Sequence, residues 1–144
     1  MKVSVVSGGF DPIHSGHIAY LNAAREQGDI LIVALNSDAW LTNKKGQPFM
    51  SFEERKTILE NLSCVDEVIS FADDKLGSCI NALVAIKEKY PKEHIIFCNG
   101  GDRDNSNIAE MSVSGIEFKF SIGGEDKKNS SSWILKNWIG EAED

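Results

Sequence analysis

Residues 8–21 read GGFDPIHSGHIAYL, a glycine turn that carries two histidines into a helix. The apolar segment before it, residues 3–6, reads as a buried strand. Beyond it Ile18, Leu21 and Arg25 continue a helical spacing, so the motif occupies a strand-to-helix turn. At such a junction Gly8 and Gly9 let backbone N–H groups approach an anion, and the helix amino terminus adds about half a positive charge. His14 and His17, three positions apart, stand about one turn from each other and can face the same bound group. The pattern is that of a phosphate site equipped with its own proton-bearing groups. A metal pair would need further ligands, and none stands at a suitable local spacing.

The rest of the chain limits what such a site can serve. At 144 residues it fits one domain, which can bury roughly two thirds of its unfolded surface without disulfides or metals. Fifteen Lys and Arg against 22 Asp and Glu leave a net charge of -7, which argues against a general nucleic-acid binder, since these present a basic face. A small anionic substrate fits better, because a local cationic pocket can sit in an acidic surface. Cys64, Cys79 and Cys98 are odd in number, far apart and set among apolar residues, and read as reduced core thiols. No apolar run approaches the roughly 20 residues of a membrane span, and the start lacks a secretory signal. A cytoplasmic protein is expected.

Strand and helix signals alternate. Residues 29–35 (DILIVAL) form a second buried strand, followed by a long polar loop over 36–50 that carries Lys44, Lys45, Gly46 and Pro48. Ser51 and Glu54 have capping-box spacing and open a helix over 51–62, and a strand follows at 65–71. A third helix runs from about 75 to 90, where Pro91 ends it; residues 94–98 (HIIFC) lead into the turn Asn99-Gly100-Gly101-Asp102-Arg103. A short helix near 107–111, a strand near 116–120 and a last helix from about 130 to 139 complete the chain. Strands separated by helices predict an α/β, doubly wound, parallel five-stranded sheet with helices on both faces. One domain is expected over 1–140, with a frayed tail at 141–144.

In such a fold ligands gather beyond the carboxyl ends of the strands. That edge collects residues 8–17, 36–45, 99–103 and 121–132, and with them both histidines, the lysine pair and a serine run. Ser130, Ser131 and Ser132 open the last helix and offer a second anion site at a helix amino terminus. Two such sites suit a polyphosphate. Neither the P-loop pattern nor the G-x-G-x-x-G dinucleotide fingerprint occurs. His94 precedes a strand away from this rim and reads as structural. Trp133 and Trp138 read as packing or dimer contacts.

These segments together resemble the cytidylyltransferase-like nucleotidyltransferases with an HxGH signature, over nearly the whole chain. GGFDPIHSGHIAYL matches the first motif and Asn36–Asp38 (NSD) the end of the second strand. FMSFEERKTIL, FCNGGDR and the NSSSW run match the remaining motifs. Two kinds of relative look similar: glycerol-3-phosphate cytidylyltransferase and the adenylyltransferase that acts on heptose 1-phosphate. The resemblance implies a Rossmann-like sheet of the nucleotidyltransferase type and transfer of a nucleotidyl group to a small phosphorylated alcohol or sugar. It implies that His14 and His17 stabilise the transferring phosphoryl group, and that Lys44 or Lys45 and Arg55 contact phosphates. Gly8, Gly9 and Phe10 would line the nucleotide pocket, Gly100, Gly101 and Asp102 would flank the base or ribose, and Ser130 to Ser132 would hold the outer phosphates. Asp11, Asn36 and Asp38 are second candidates, each able to brace a turn instead. So are Lys127 and Lys128, in a GGEDKKNSSS segment that departs from the cytidylyl pattern.

The chemistry suits these residues. A substrate phosphate is already anionic at neutral pH, so the transfer needs alignment and charge stabilisation more than a strong base. Mg²⁺ is expected, bound mainly through the triphosphate, as is a homodimer. FMSFEERK favours the cytidylyl type, hence CMP over AMP, whereas NSD, GGD and Glu125-Asp126 look more like the heptose type. A regulatory module that binds nucleotide without turnover is a further reading. A fragment related to class I aminoacyl-tRNA synthetases is another, because HSGH echoes their HIGH signature, but the chain is small and acidic and lacks a KMSKS-like loop.

Overall fold

The computed structural model describes residues 1–101, 108–123 and 131–143, with the backbone alone at 131, 132 and 140–143. Its centre is β1 (Lys2–Gly8), whose side chains alternate between two apolar layers. Val6 joins one layer; Val3 and Val5 join the other. β2 (Ile30–Leu35) does the same, with Leu31, Val33 and Leu35 on one face and Ile32 and Ala34 on the other. β4 (His94–Cys98) splits Ile96 and Cys98 from Ile95 and Phe97. Burial on both faces explains why these strands read as unbroken apolar runs.

All pairings are parallel, and the strand order is β3-β2-β1-β4-β5, with short β3 (Glu67–Ile69) and β5 (Glu117–Lys119) at the edges. α1 (Ser15–Arg25) and α3 (Phe52–Glu60) bring Leu21, Ala24 and Leu59 to one face. α4 (Ile80–Lys89) covers the other with Ala82, Leu83 and Ile86. The chain therefore builds outward from β1 through β2 to β3, then crosses back to β4 on the opposite side. This reversal opens a crevice at the carboxyl ends of β1 and β4, the place where doubly wound sheets bind ligands.

Three boundaries differ from the sequence expectation. The 36–50 segment contains a helix, α2 (Asp38–Lys45), which Ser37 caps through the Trp40 N–H and Gly46 ends at φ 94°. α4 starts at Ile80, because Asp74 takes the Leu76 and Ser78 N–H groups into a turn that passes Gly77 at φ 69°. α5 (Ser131–Glu143) continues past Gly140, where a frayed tail was expected. One glycine costs a helix only about 1 kcal/mol, and the Glu141, Ala142 and Glu143 beyond it include good helix formers. Among the described residues no helix is long and apolar enough to cross a membrane.

Candidate active site

The two histidines build the start of α1. His14 is its N-cap, and its Nδ1 accepts the Gly16 N–H at 3.0 Å. His17 sits at the third helical position and its Nδ1 accepts the His14 N–H at 3.3 Å, completing a reciprocal capping box. The rings stack with centroids 3.8 Å apart and planes 22° from parallel, while the Phe10 ring meets His17 edge-on at 4.9 Å. Because each Nδ1 is an acceptor, the proton of each neutral imidazole resides on Nε2. Burial, with the neighbouring His14 as a lesser cause, lowers the His17 pKa to about 4. At neutral pH His17 is thus an uncharged hydrogen-bond donor rather than a cation.

The glycine turn before them is shaped by contact. A Cβ on Gly9 would lie 2.8 Å from Leu41 Cδ2, and one on Gly8 would press on the Phe10 ring at 3.0 Å. Phe10 itself is buried and has φ 51°. Its ring belongs to the core cluster on the α1 side of the sheet and supports His17 edge-on.

Arg55 corrects the sequence reading. Expected at a phosphate, it is instead 1% exposed and four of its five N–H donors are bonded inside the protein. Nε donates to Met50 O, Nη1 to Gly9 O and Asn36 O, and Nη2 to Asp38 Oδ1 at 2.8 Å. It clamps the glycine turn, the end of β2, the start of α2 and the 46–50 loop onto one guanidinium. Asn36 and Asp38 belong to this brace, and Asn36 is buried with its N–H on Gly8 O. Asp11 braces as well. Its fully buried carboxylate accepts the Phe49 and Met50 N–H groups, both at 2.6 Å, and pairs with Lys45 Nζ at 2.7 Å. No hydrogen bond joins Asp11 to a histidine among the described residues. Lys45, which also donates to Asp11 O, is held in this latch, whereas Lys44 stands one turn beyond Trp40 with Nζ 4.9 Å from the indole centroid.

On the other side of β1 the turn after β4 is built against α1. The Tyr20 hydroxyl donates to Cys98 O, and the Ile122 N–H bonds Asn99 O. A Cβ on Gly100 would meet Ile122 O and the Tyr20 ring at 3.1 Å, while one on Gly101, at φ 65°, would have no atom of the described residues within 4 Å. Asp102, Lys127, Lys128 and Ser130 lie outside the described residues, as do the side chains of Ser131 and Ser132. The backbone of these last two opens α5 as expected. On that helix Trp133 and Trp138 are 49% and 72% exposed, and neither belongs to the two core clusters of the described residues.

The structure thus brings His14, His17, Gly8, Gly9, Phe10 and Lys44 to the carboxyl edge of β1 and β2, with Gly100 and Gly101 beyond adjacent β4. Among the described residues no group of three or more His, Cys, Asp or Glu side chains is placed to hold a metal ion. Trp40 went unnoticed in the sequence; its half-exposed ring stands at the same rim, with Nε1 donating to Gly77 O at 2.9 Å. A cavity of about 680 Å³ opens at the opposite edge of the sheet, lined by Met1, Lys2, Gln27, Gly28, Asp29 and His94. Several of its polar groups are tied to neighbours: the Met1 ammonium pairs with Glu93, the Lys2 backbone N–H donates to Asp29, and His94 pairs with Glu117. His94 is structural there.

Comparison with known proteins agrees with this geometry. A family model described as cytidylyltransferase-like matches residues 5–118. The bifunctional protein HldE of Pseudomonas fluorescens is 41% identical over 149 aligned positions, which take in 99% of this chain and 28% of the relative. HldE of Helicobacter hepaticus is 38% identical over 109 positions, 74% of this chain and 21% of the relative. The chain therefore spans less than a third of the length of these curated relatives. Among solved structures, a lipopolysaccharide core biosynthesis protein from Thermoplasma volcanium superposes with a TM-score of 0.66 at 23% identity, covering 88% of this chain and 98% of that one. A bifunctional NMN adenylyltransferase/ADP-ribose pyrophosphatase from Francisella tularensis, solved with AMP and a manganese ion, superposes at 0.69 and 17% identity. It matches 96% of this chain and 42% of that one. Both share the fold.

Proposed function

Since the chain belongs to the cytidylyltransferase-like family, we propose that it transfers a nucleotidyl group, AMP in preference to CMP, from a nucleoside triphosphate to a small sugar 1-phosphate, releasing pyrophosphate. The observation that carries the reaction class is the stacked histidine pair at the start of α1, with both Nδ1 atoms held by backbone N–H groups and the ring protons on Nε2. Donors fixed in this way stabilise charge that develops on α-phosphate oxygens without reorganising during the reaction.

An anionic oxygen of the acceptor phosphate attacks the α-phosphorus. A new P–O bond forms as the bond to the bridging oxygen of the β-phosphate breaks, and the electron pair leaves with pyrophosphate. His17, neutral and donating through Nε2, binds the α-phosphate beside His14; Lys44 meets phosphate charge, and the base or ribose lies against the Gly100–Gly101 turn. A divalent ion such as Mg²⁺, carried on the triphosphate oxygens, supplies charge neutralisation when bound. With Nδ1 accepting a backbone N–H and the ring proton on Nε2, each histidine in this tautomer serves the phosphate as a donor rather than the ion as a ligand.

The expected preference for CMP gives way to AMP for two reasons. It rested on the FMSFEERK segment, whose arginine braces the fold and so carries no information about the base. Curated relatives include HldE proteins, in keeping with the heptose-type reading of NSD and GGD. Pyrophosphate release by ATP and CTP against heptose 1-phosphate, glucose 1-phosphate, glycerol 3-phosphate and phosphocholine tests the proposal. ATP with a sugar 1-phosphate is expected to be fastest. CTP with glycerol 3-phosphate in first place would overturn the assignment, and no release with any pair would favour the nucleotide-binding module.

A further inference from the structure

We propose that Trp40 and Lys44, one turn apart on α2, form the acceptor subsite: the indole face stacks on the sugar ring and Lys44 meets the acceptor's phosphate. This rests on the reaction proposed above and adds to it the residue that selects a cyclic acceptor.

Four observations carry it. First, the sheet order places β2 and β4 on opposite sides of β1, so α2 and the Gly100–Gly101 turn flank the histidine pair from opposite sides. A nucleotide whose base lies at the β4 turn leaves the β2 side for the nucleophile. Second, the indole is fixed in orientation, because Nε1 donates to Gly77 O and the Trp40 backbone N–H to Ser37 Oγ. With its one polar atom already satisfied by the protein, the partly buried ring meets a ligand through its carbon surface rather than through a hydrogen bond. Third, the ring adjoins the glycine turn: a Cβ on Gly9 would lie 3.7 Å from Trp40 Cζ3. Fourth, Lys44 Nζ is 4.9 Å from the ring centroid, so the electron-rich face and the cation form one recognition unit. A sugar 1-phosphate presents the complementary pair, since its axial C–H bonds carry partial positive charge towards an aromatic face and its phosphate lies one bond from the ring. A linear phosphate such as glycerol 3-phosphate offers the anion without the ring.

The test uses the full chain with Trp40→Ala and Trp40→Phe, measuring pyrophosphate release at saturating ATP with heptose 1-phosphate varied. Trp40→Ala is expected to raise the acceptor KM about tenfold, the size of one aromatic contact, with the ATP KM unchanged. Trp40→Phe, which loses the bond to Gly77 but keeps a π face, is expected to stay close to wild type. If the indole served only to tether the 72–78 loop, both variants would fail alike, and that result overturns the proposal. So does a rise in the ATP KM at constant acceptor KM, which would place the ring against the nucleotide. Tryptophan emission gives a readout independent of turnover, because Trp133 and Trp138 remain as background in Trp40→Phe. Heptose 1-phosphate alone should change the emission of the wild type and not of this variant. That response without any pyrophosphate release would keep the subsite and refute the reaction; release without the response would refute the subsite.

Discussion

At the scale of single residues, the histidine pair owes its chemistry to two backbone N–H groups. Gly16 N and His14 N hold both Nδ1 atoms, and burial keeps His17 neutral, with its pKa lowered to about 4. The sign follows from linkage. Between pH 6.5 and 4 the unfolded chain binds a proton at this position and the folded chain does not, so stability falls as pH drops through that window. The loss grows to about 3 kcal/mol below pH 4 and vanishes above pH 6.5. Urea unfolding at pH 7 and pH 4.5 should show it, and the difference should shrink in His17→Gln. That variant keeps an acceptor at the third helical position, so its stability at neutral pH should stay within about 1 kcal/mol of wild type. Its turnover should nevertheless fall about 100- to 1,000-fold, the cost of one lost oxyanion donor. The residues of the motif were legible from spacing and from the glycine turn. Their tautomer was not, because it depends on which N–H each ring meets. Arg55 was misread for a related reason: a sequence displays a charge but not its burial.

At the scale of elements, Arg55 and Asp11 make the rim rigid. Arg55 gathers carbonyls from the glycine turn, the end of β2 and the 46–50 loop, and pairs with Asp38 at the start of α2. Asp11 draws the 46–50 loop back against the first motif. Arg55→Ala strands three carbonyls and removes the partner of the half-exposed Asp38, and should cost about 3–5 kcal/mol, mostly from the carbonyls, measured as a lower urea midpoint at unchanged slope. α2 was missed in the sequence because its eight residues include Thr42 and Asn43, poor helix formers, and lie between Ser37 and Gly46 in a stretch rich in loop signals. Its start and stop were nevertheless written there, as a serine cap and a glycine end. α4 was drawn five residues too long because Asp74 and Gly77 form a turn that apolar periodicity does not reveal.

At the scale of the whole molecule, the doubly wound sheet was legible because buried parallel strands are apolar throughout and the intervening helices are amphipathic. The crevice followed from the same topology, and so did the gathering of the histidines, Lys44 and the glycine turns at one edge. The nucleotide and acceptor were not legible in the same way, since they depend on how α2 and the turn after β4 face each other across β1. In the proposed reaction a P–O bond forms between the α-phosphorus and an acceptor phosphate at the histidine pair. ³¹P NMR of the full chain with ATP, Mg²⁺ and heptose 1-phosphate tests it most directly. Two coupled diphosphate resonances of a nucleotide sugar should appear in step with pyrophosphate, and none with His17→Gln over the same interval. Release of inorganic phosphate with ADP, or diphosphate product formed equally fast by His17→Gln, would contradict it.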